Sequence, residues 1–367
     1  MFAFSVPSSR RTFNAPSNSN EFWPACKKEY EGRACVQIMG EQRRSIVASA
    51  PGKCILFGEH AVVYGQPAVA VALEQRLQVT MIPASSWSVD GSPLNPEKHP
   101  HIVMLRDRFL SEDHQPMAVH IQADLPRASG LGSSAALSAA MSAALARISS
   151  EDGLLDCELL SEAAHMAEAH AQQGRASPMD TSTSVEGGVV VLSNQRETTG
   201  EWTYTRRLNT PEGERTWEIH RLEPPEGEVY LVLGNTGIHA PTARQVAMVA
   251  ETLRAAPERF NEIEAIGAVA RRGLAALVNG DYEAVGQAMS ENHLLLRGLG
   301  VSSPELEALI QAAIPTSLGV KLTGAGGGGC MVALTRQPKQ TSESIELAGG
   351  RALVSRIGSA GVRLETP

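Results

Sequence analysis

The sequence predicts an α+β protein in two domains. Strands and helices do not alternate regularly, which disfavours a doubly wound parallel sheet. Helical spacing is concentrated in four successive segments of the second half, near 242–256, 258–279, 281–296 and 303–313. A PPEGE stretch at 224–228 interrupts a chain of 367 residues, a length that suits about two domains. The expected division is therefore a tail or non-native extension over 1–44, an N-terminal domain over 45–224 and a C-terminal domain over 225–367.

The elements follow in order. Residues 45–50 (SIVASA) are β-prone, and Pro51-Gly52 signals a loop after them. CILFGEHAVVYGQPAVAVAL reads as short strands and turns, and RLQVTMI as a further strand. Residues 84–99 are rich in Pro, Ser, Gly and Asp and read as a loop. AVHIQADLP is a strand leading into Gly130-Leu131-Gly132-Ser133-Ser134 and an Ala-rich helix to about Ile148. Helical spacing returns over 154–172, then EGGVVVLS (186–193) forms a strand. EWTYTRRL and RTWEIHRL flank Pro211-Glu212-Gly213 as a hairpin, and VYLVLGN (229–235) opens the second domain. Ser303 before Pro304 is a helix start, with Ser as cap and Pro in the first turn. LGVKLTG, the glycine run and CMVAL read as strand, turn, strand.

Composition excludes several function classes. Hydrophobic residues make up 43% and aromatic residues only 4%, so the core is aliphatic and base-stacking platforms are disfavoured. Lys+Arg is 32 against 40 Asp+Glu, a net charge of −8, which argues against nucleic acid or an anionic membrane surface as the main partner. The run AALSAAMSAALARI is too short to span a bilayer. The five cysteines are scattered without a CxxC spacing, so neither a disulfide framework nor a zinc site is expected and a cytoplasmic setting is the default. Residues 1–44 carry a net +3 and the remainder −11, and their Arg/Ser-rich opening also fits an organellar transit peptide.

Three stretches carry chemistry. In PRASGLGSSAALSAA (126–140), Gly130 and Gly132 permit close backbone approach, and Ser133 and Ser134 open a helix whose unpaired N–H groups attract an anion. A polyphosphate suits this loop, although an ordinary glycine turn capping a helix would use the same residues. No Gly-Lys-Ser/Thr closes it, so it is not a Walker A loop. In TGAGGGGC (323–330), Gly324, Gly326 and Gly329 match GxGxxG, but a β-prone run follows where a dinucleotide fold needs a helix. Packing against another loop or a nucleotide explains the four consecutive glycines better than a simple turn. In PGKCILFGEHAVVYG (51–65), Lys53, Glu59 and His60 cluster among apolar residues. A buried lysine needs a charged partner or an anionic ligand, and Glu59 with His60 could also be a mutually bonded turn pair. A fourth stretch, GRASPMDTSTS (174–184), places Asp180 among hydroxyls, as a cap or as a functional carboxylate.

In this order and spacing the motifs resemble the GHMP kinase superfamily. GEHAVVYG, GRASPMDTSTS, KLTGAGGGGC and NHLLLRGLGVSSPELEALI resemble its mevalonate kinase branch in particular, and the likeness covers about residues 45–335. The resemblance implies an N-terminal domain like the second domain of ribosomal protein S5, a ferredoxin-like C-terminal domain, and ATP and substrate in the cleft between them. It implies transfer of phosphate from ATP to the 5-hydroxyl of (R)-mevalonate, in the mevalonate route to isoprenoids, with Mg²⁺ as cofactor. Ala128, Ser129, Gly130, Leu131, Gly132, Ser133 and Ser134 would hold the ATP phosphates, with Gly326 and Gly327 closing over them. Ser134 would ligate Mg²⁺, Asp180 would be the catalytic base, and Lys53 would stand beside both it and the transferring group. Glu59, His60 and Thr242 would contact substrate. The family's frequent dimers make a homodimer an option.

One departure stands out. The family places a metal-ligating Glu eleven residues before the catalytic Asp, where this chain has Ala169. Glu168 is one residue away, and a helical step of ~100° would misdirect it unless the helix is locally distorted. Either Glu168 is recruited as the metal ligand or water replaces it. Its neighbours His165 and His170 do not have the HExxH spacing of a zinc site. Alternatives to the substrate reading are another kinase of the superfamily (for phosphomevalonate or homoserine), an ATP-binding sensor without turnover, and an RNA-binding protein on the S5-like fold.

Overall fold

A computed structural model of the chain describes residues 45–126, 129–150, 155–174, 176–210 and 213–366. The expectations for 1–44, for Ala128 and for Pro211-Glu212 fall outside those residues.

The first sheet is organised around two long strands. β1 (Ile46–Phe57) and β2 (Ala68–Pro83) run antiparallel over most of their length. Pro51-Gly52 does not end the first strand, contrary to the expectation of a loop. The register shifts between Pro51 and Lys53, and the strand continues through the bulge. Proline is tolerated there because pairing on the other side covers only Val47, Ala48 and Ser49. The two strands expected around Glu74-Gln75 are likewise one strand. Residues 84–99 hold a small hairpin of β3 (Ser88–Val89) and β4 (Ser92–Pro93) rather than only a loop. The sheet is completed by β5 (Met117–Ala123), β6 (Val189–Ser193) and the expected hairpin of β7 (Glu201–Thr210) with β8 (Gly213–Leu222).

Among the described residues, this half has the α-helices α1 (Pro100–Phe109), α2 (Ser133–Ser149), α3 (Cys157–Ala171) and α4 (Met179–Glu186). α1 carries no strong periodic signal and was not expected. The Ala-rich face of α2 (Ala136, Ala139, Ala140, Ala143) is fully buried, which lets its backbone lie close to β1 and β2. Asp156 caps α3 by accepting from the Glu158 and Leu159 N–H groups. The TSTS run of α4 is buried: Thr181 Oγ1 donates to Pro178 O, Thr183 Oγ1 donates to Met179 O, and the Ser182 hydroxyl meets that of Ser161.

The second sheet follows the PPEGE stretch. β9 (Tyr230–Asn235) leads into α5 (Thr242–Ala255), α6 (Phe260–Val278), α7 (Tyr282–Gly298) and α8 (Pro304–Ala313), close to the four expected segments. Ser303 caps α8 as read, accepting from Leu306 N. Then come β10 (Gly319–Thr323), β11 (Cys330–Thr335), α9 (Pro338–Leu347), β12 (Arg351–Ser355) and β13 (Arg363–Glu365). The order β10-β11-β9-β12, antiparallel throughout, is the split ferredoxin-like arrangement. The strands of the two sheets separate at 224–228 with one exception. β13, inside the span 225–367, returns to pair with β1 in the first sheet, so a single cut does not divide the two. One apolar cluster runs from Leu73, Met141 and Leu145 to Leu231, Met289 and Val332 and gives both sheets a shared core. Each such buried side chain contributes about 1.5–3 kcal/mol.

Candidate active site

The bulge in β1 aims Lys53 at the start of α2. Lys53 N donates to Leu131 O at 2.9 Å, which ties the strand to the glycine loop. A Cβ on Gly132 would stand 2.8 Å from Lys53 Cγ, and Gly132 has φ +76, so two independent constraints demand glycine. Lys53 Nζ lies 3.1 Å from Asp180 Oδ1; the lysine side chain is 4% exposed and the aspartate 41%. Asp180 sits in the first turn of α4, where the helix end favours a carboxylate.

Ser134, in the first turn of α2, donates its hydroxyl to Glu168 Oε1 at 2.5 Å. Ser138 donates to the same oxygen at 3.2 Å, Gln172 Nε2 donates to Oε2 at 2.9 Å, and His101 Nε2 lies 3.3 Å from Oε1. Burial alone would raise the Glu168 carboxyl, but His101 and the two serine hydroxyls bring it below its ordinary value. The expected misdirection of Glu168 therefore does not occur. Beyond the helix Gln173 (φ 55) and Gly174 (φ 83) turn the chain toward α4, and Gly174 N donates to Ala169 O. Ala169 faces away, packed with Ala176 and Leu208. His165 Nε2 bonds Ala176 O at 3.1 Å, a structural role.

These groups open on one cavity of about 700 Å³, within the range of small-molecule sites. Lys53, Glu59, His60, Ser129, Gly130, Leu131, Gly132, Ser133, Ser134, Glu168, Asp180 and Thr242 all line it. Gly326 and Gly327 do not. A Cβ on Gly326 would lie 2.1 Å from Val301 O, and Gly327 N donates to that carbonyl at 2.7 Å, so these two glycines serve backbone packing. Gly324 and Ala325 reach the cavity instead. The two glycine segments do meet: a Cβ on Gly329 would stand 3.3 Å from Ser129 O.

Glu59 and His60 are not a mutually bonded pair. Both Glu59 oxygens are engaged, Oε1 by the Lys321 ammonium and Oε2 by Asn292 Nδ2 at 3.1 Å. This carboxylate, on the cavity lining, thus has protein partners at both oxygens, as a buried charge requires. His60 Nε2 lies 2.9 Å from Ala325 O. A carbonyl only accepts, so this nitrogen carries the proton and Nδ1 is left as the acceptor. Burial lowers the His60 pKa against the opposing effects of Ala325 and Glu59, which keeps the ring neutral at pH 7.

Sequence reasoning missed His101, Gln172, Lys321 and Asn292. His101 lies on the unexpected helix α1. Gln172 follows from helical spacing, four residues after Glu168. Lys321 stands 262 residues from its partner, and only its place in KLTG, between β-prone neighbours, hints at burial.

Comparisons with known proteins agree with this architecture. The family signature "GHMP kinases N terminal domain" matches residues 101–188, and "GHMP kinases C terminal" matches 274–353. The mevalonate kinase of Methanothermobacter thermautotrophicus is 35% identical over 295 residues, covering 78% of this chain and 89% of that one. That of Archaeoglobus fulgidus is 35% identical over 301 residues, covering 80% and 94%. The crystal structure of L. major mevalonate kinase in complex with R-mevalonate superposes with a TM-score of 0.68 at 23% identity, over 85% of this chain and 96% of that one, a likeness of fold. With two GHMP kinase signatures, both sheets in the family's arrangement and relatives at this identity, the chain belongs to the mevalonate kinase family of the GHMP kinases.

Proposed function

We propose that this kinase phosphorylates mevalonate by passing the terminal phosphoryl group of ATP to the 5-hydroxyl of (R)-mevalonate, giving 5-phosphomevalonate and ADP. The observation that carries the reading is the Lys53–Asp180 pair, 3.1 Å apart and facing the same cavity as the opening turn of α2. The first N–H groups of that helix lack intrahelical partners and would hold the phosphates, with the backbone of Ser129, Gly130, Leu131, Gly132 and Ser133 around them. Asp180, partly open to the cavity, would orient the substrate hydroxyl and take its proton. Lys53 would hold the Asp180 carboxylate in place and neutralise charge on the phosphoryl group in flight. Because phosphoryl transition states are loose, most of the acceleration is positioning and charge neutralisation. His60 Nδ1 would accept from a substrate hydroxyl, and Thr242, which lines the same cavity, would also contact the substrate.

Ser134 and Glu168 are hard oxygen donors that touch at 2.5 Å, and this donor set fits Mg²⁺. They would hold the ion, which when bound would supply positive charge to offset that of the phosphates. A cytoplasmic setting and a homodimer belong to the same proposal. The three described cysteines, Cys54, Cys157 and Cys330, are free thiols, and no described helix is long and apolar enough to cross a membrane.

A coupled ADP-release assay over mevalonate, phosphomevalonate and homoserine tests the substrate. Preference for mevalonate by at least tenfold in kcat/KM is expected. Preference for either of the others would replace the substrate while leaving the phosphoryl-transfer chemistry in place.

A further inference from the structure

The cavity has a second lysine–carboxylate pair beneath it, and the mechanism above does not use it. Lys321 on β10 is fully buried, and its ammonium has three acceptors: Glu59 Oε1, Leu322 O at 2.5 Å and Ile55 O at 3.4 Å. Asn292 on α7, also fully buried, donates to the other Glu59 oxygen at 3.1 Å. The Asn292 Oδ1 has no partner among the described residues, so the side chain tolerates an orphaned acceptor to make that contact. The cluster joins β10 and α7 of the second half to β1 and the 59–60 turn of the first. Stability alone is a weak reason for such a cluster, since an apolar replacement of a buried ion pair is often as stable.

The adjoining residue supplies a better reason. His60 is a non-glycine residue with φ +62, a conformation that persists only where its surroundings over-determine it. Its ring is bound to Ala325 O, four residues beyond Lys321 in the same β10–β11 hairpin. That hairpin therefore grips the dipeptide twice, through the Glu59 side chain and through the His60 side chain.

We propose that Lys321 and Asn292 are positioning residues that act through Glu59 to hold the His60 imidazole in place at the cavity wall. The proposal rests on the reading of His60 as a group facing the alcohol substrate. It makes Glu59 a girder between the two sheets and leaves the substrate contact to its neighbour.

The test is a double-mutant cycle. Asn292→Ala and, separately, Lys321→Met are each made in the wild-type and His60→Ala backgrounds. KM for mevalonate, KM for ATP and the thermal midpoint are then measured. In the wild-type background either change is expected to raise KM for mevalonate about tenfold, the loss of one hydrogen bond to a charged group, with KM for ATP within about twofold. In the His60→Ala background the same change adds less than about twofold, because the group it positions is gone. Equal effects in the two backgrounds, parallel rises in both KM values, or an unchanged KM for mevalonate would overturn the proposal. So would failure of both variants to fold, since the cluster would then be a folding element only. Wild-type turnover of mevalonate is the separate control: its absence sinks the substrate reading, whereas normal turnover with additive effects sinks this one.

Discussion

The two lysine–carboxylate pairs at the cavity are built in opposite ways. Lys53–Asp180 is half open, with the aspartate 41% exposed and free to exchange its lysine for a ligand. Lys321–Glu59 is closed, at 0% and 1% exposure, with every oxygen and every ammonium proton assigned to a protein partner. The same two functional groups serve chemistry in one place and geometry in the other. What separates them is the access of Asp180 to the cavity, because a charge that must bind and release a partner cannot already be saturated.

The largest effects expected are those that break the open pair. Asp180→Ala and Lys53→Met should each lower kcat by roughly 10²–10⁴. Lys53→Met should change stability by under about 1 kcal/mol, because the half-exposed Asp180 can rehydrate when its partner is lost, whereas Asp180→Ala leaves the buried Lys53 ammonium unpaired and should cost more. Steady-state assays alongside denaturant melts check both halves of that statement. Breaking the closed pair should do the reverse. Lys321→Met leaves Glu59 charged and buried, and should cost about 3–5 kcal/mol of stability in a denaturant melt. The double variant Lys321→Met/Glu59→Gln should recover most of it. If Lys321→Met were instead inactive yet fully stable, the contrast between the two pairs would fail.

Glu168 sharpens the comparison from the open side. Glu168→Ala should raise the Mg²⁺ concentration for half-maximal activity roughly tenfold, read from a Mg²⁺ titration at saturating ATP. An unchanged titration would make this carboxylate a bystander of Ser134. The smallest effect expected is on pH. Burial lowers the pKa of His60, His165, His220 and His293. Below about 6.5 the unfolded chain takes up protons at these rings that the folded chain refuses, so stability falls as pH drops. Glu168 has the opposite placement: its lowered pKa stabilises the fold above the ordinary carboxylate value and is lost only in stronger acid. The thermal midpoint should therefore decline between pH 7 and pH 5.5, before Glu168 takes up its proton. A midpoint flat over that interval would contradict the burial of those rings.

Much of the site was readable because its residues cluster in short motifs. Lys53, the loop ending at Ser134, and Asp180 each sit in a run whose glycines or hydroxyls advertise an unusual backbone, and the structure gathers all three. The helices from α5 to α8 were readable from periodicity. What was not readable depends on distance along the chain. Nothing local to Glu59 identifies Lys321 as its partner, and nothing local to Arg363 places β13 beside β1. Pro51-Gly52 was misread as a loop because local preference was weighed without the long antiparallel partner that carries β1 through the bulge. Counting eleven residues back from Asp180 lands on Ala169, which packs with Ala176 and Leu208, while the count could not show that its neighbour Glu168 meets Ser134. The glycine run shows the converse: its spacing was noticed, yet two of its glycines answer to Val301 rather than to the cavity.

The central claim is that the open carboxylate acts in the chemical step. A single-turnover measurement of phosphoryl transfer by Asp180→Ala, at saturating ATP and mevalonate, tests it most directly when paired with equilibrium binding of both ligands. The expected result is a rate roughly 10²–10⁴ below wild type with dissociation constants little changed. A single-turnover rate close to wild type, or a loss explained entirely by weaker binding, would contradict it.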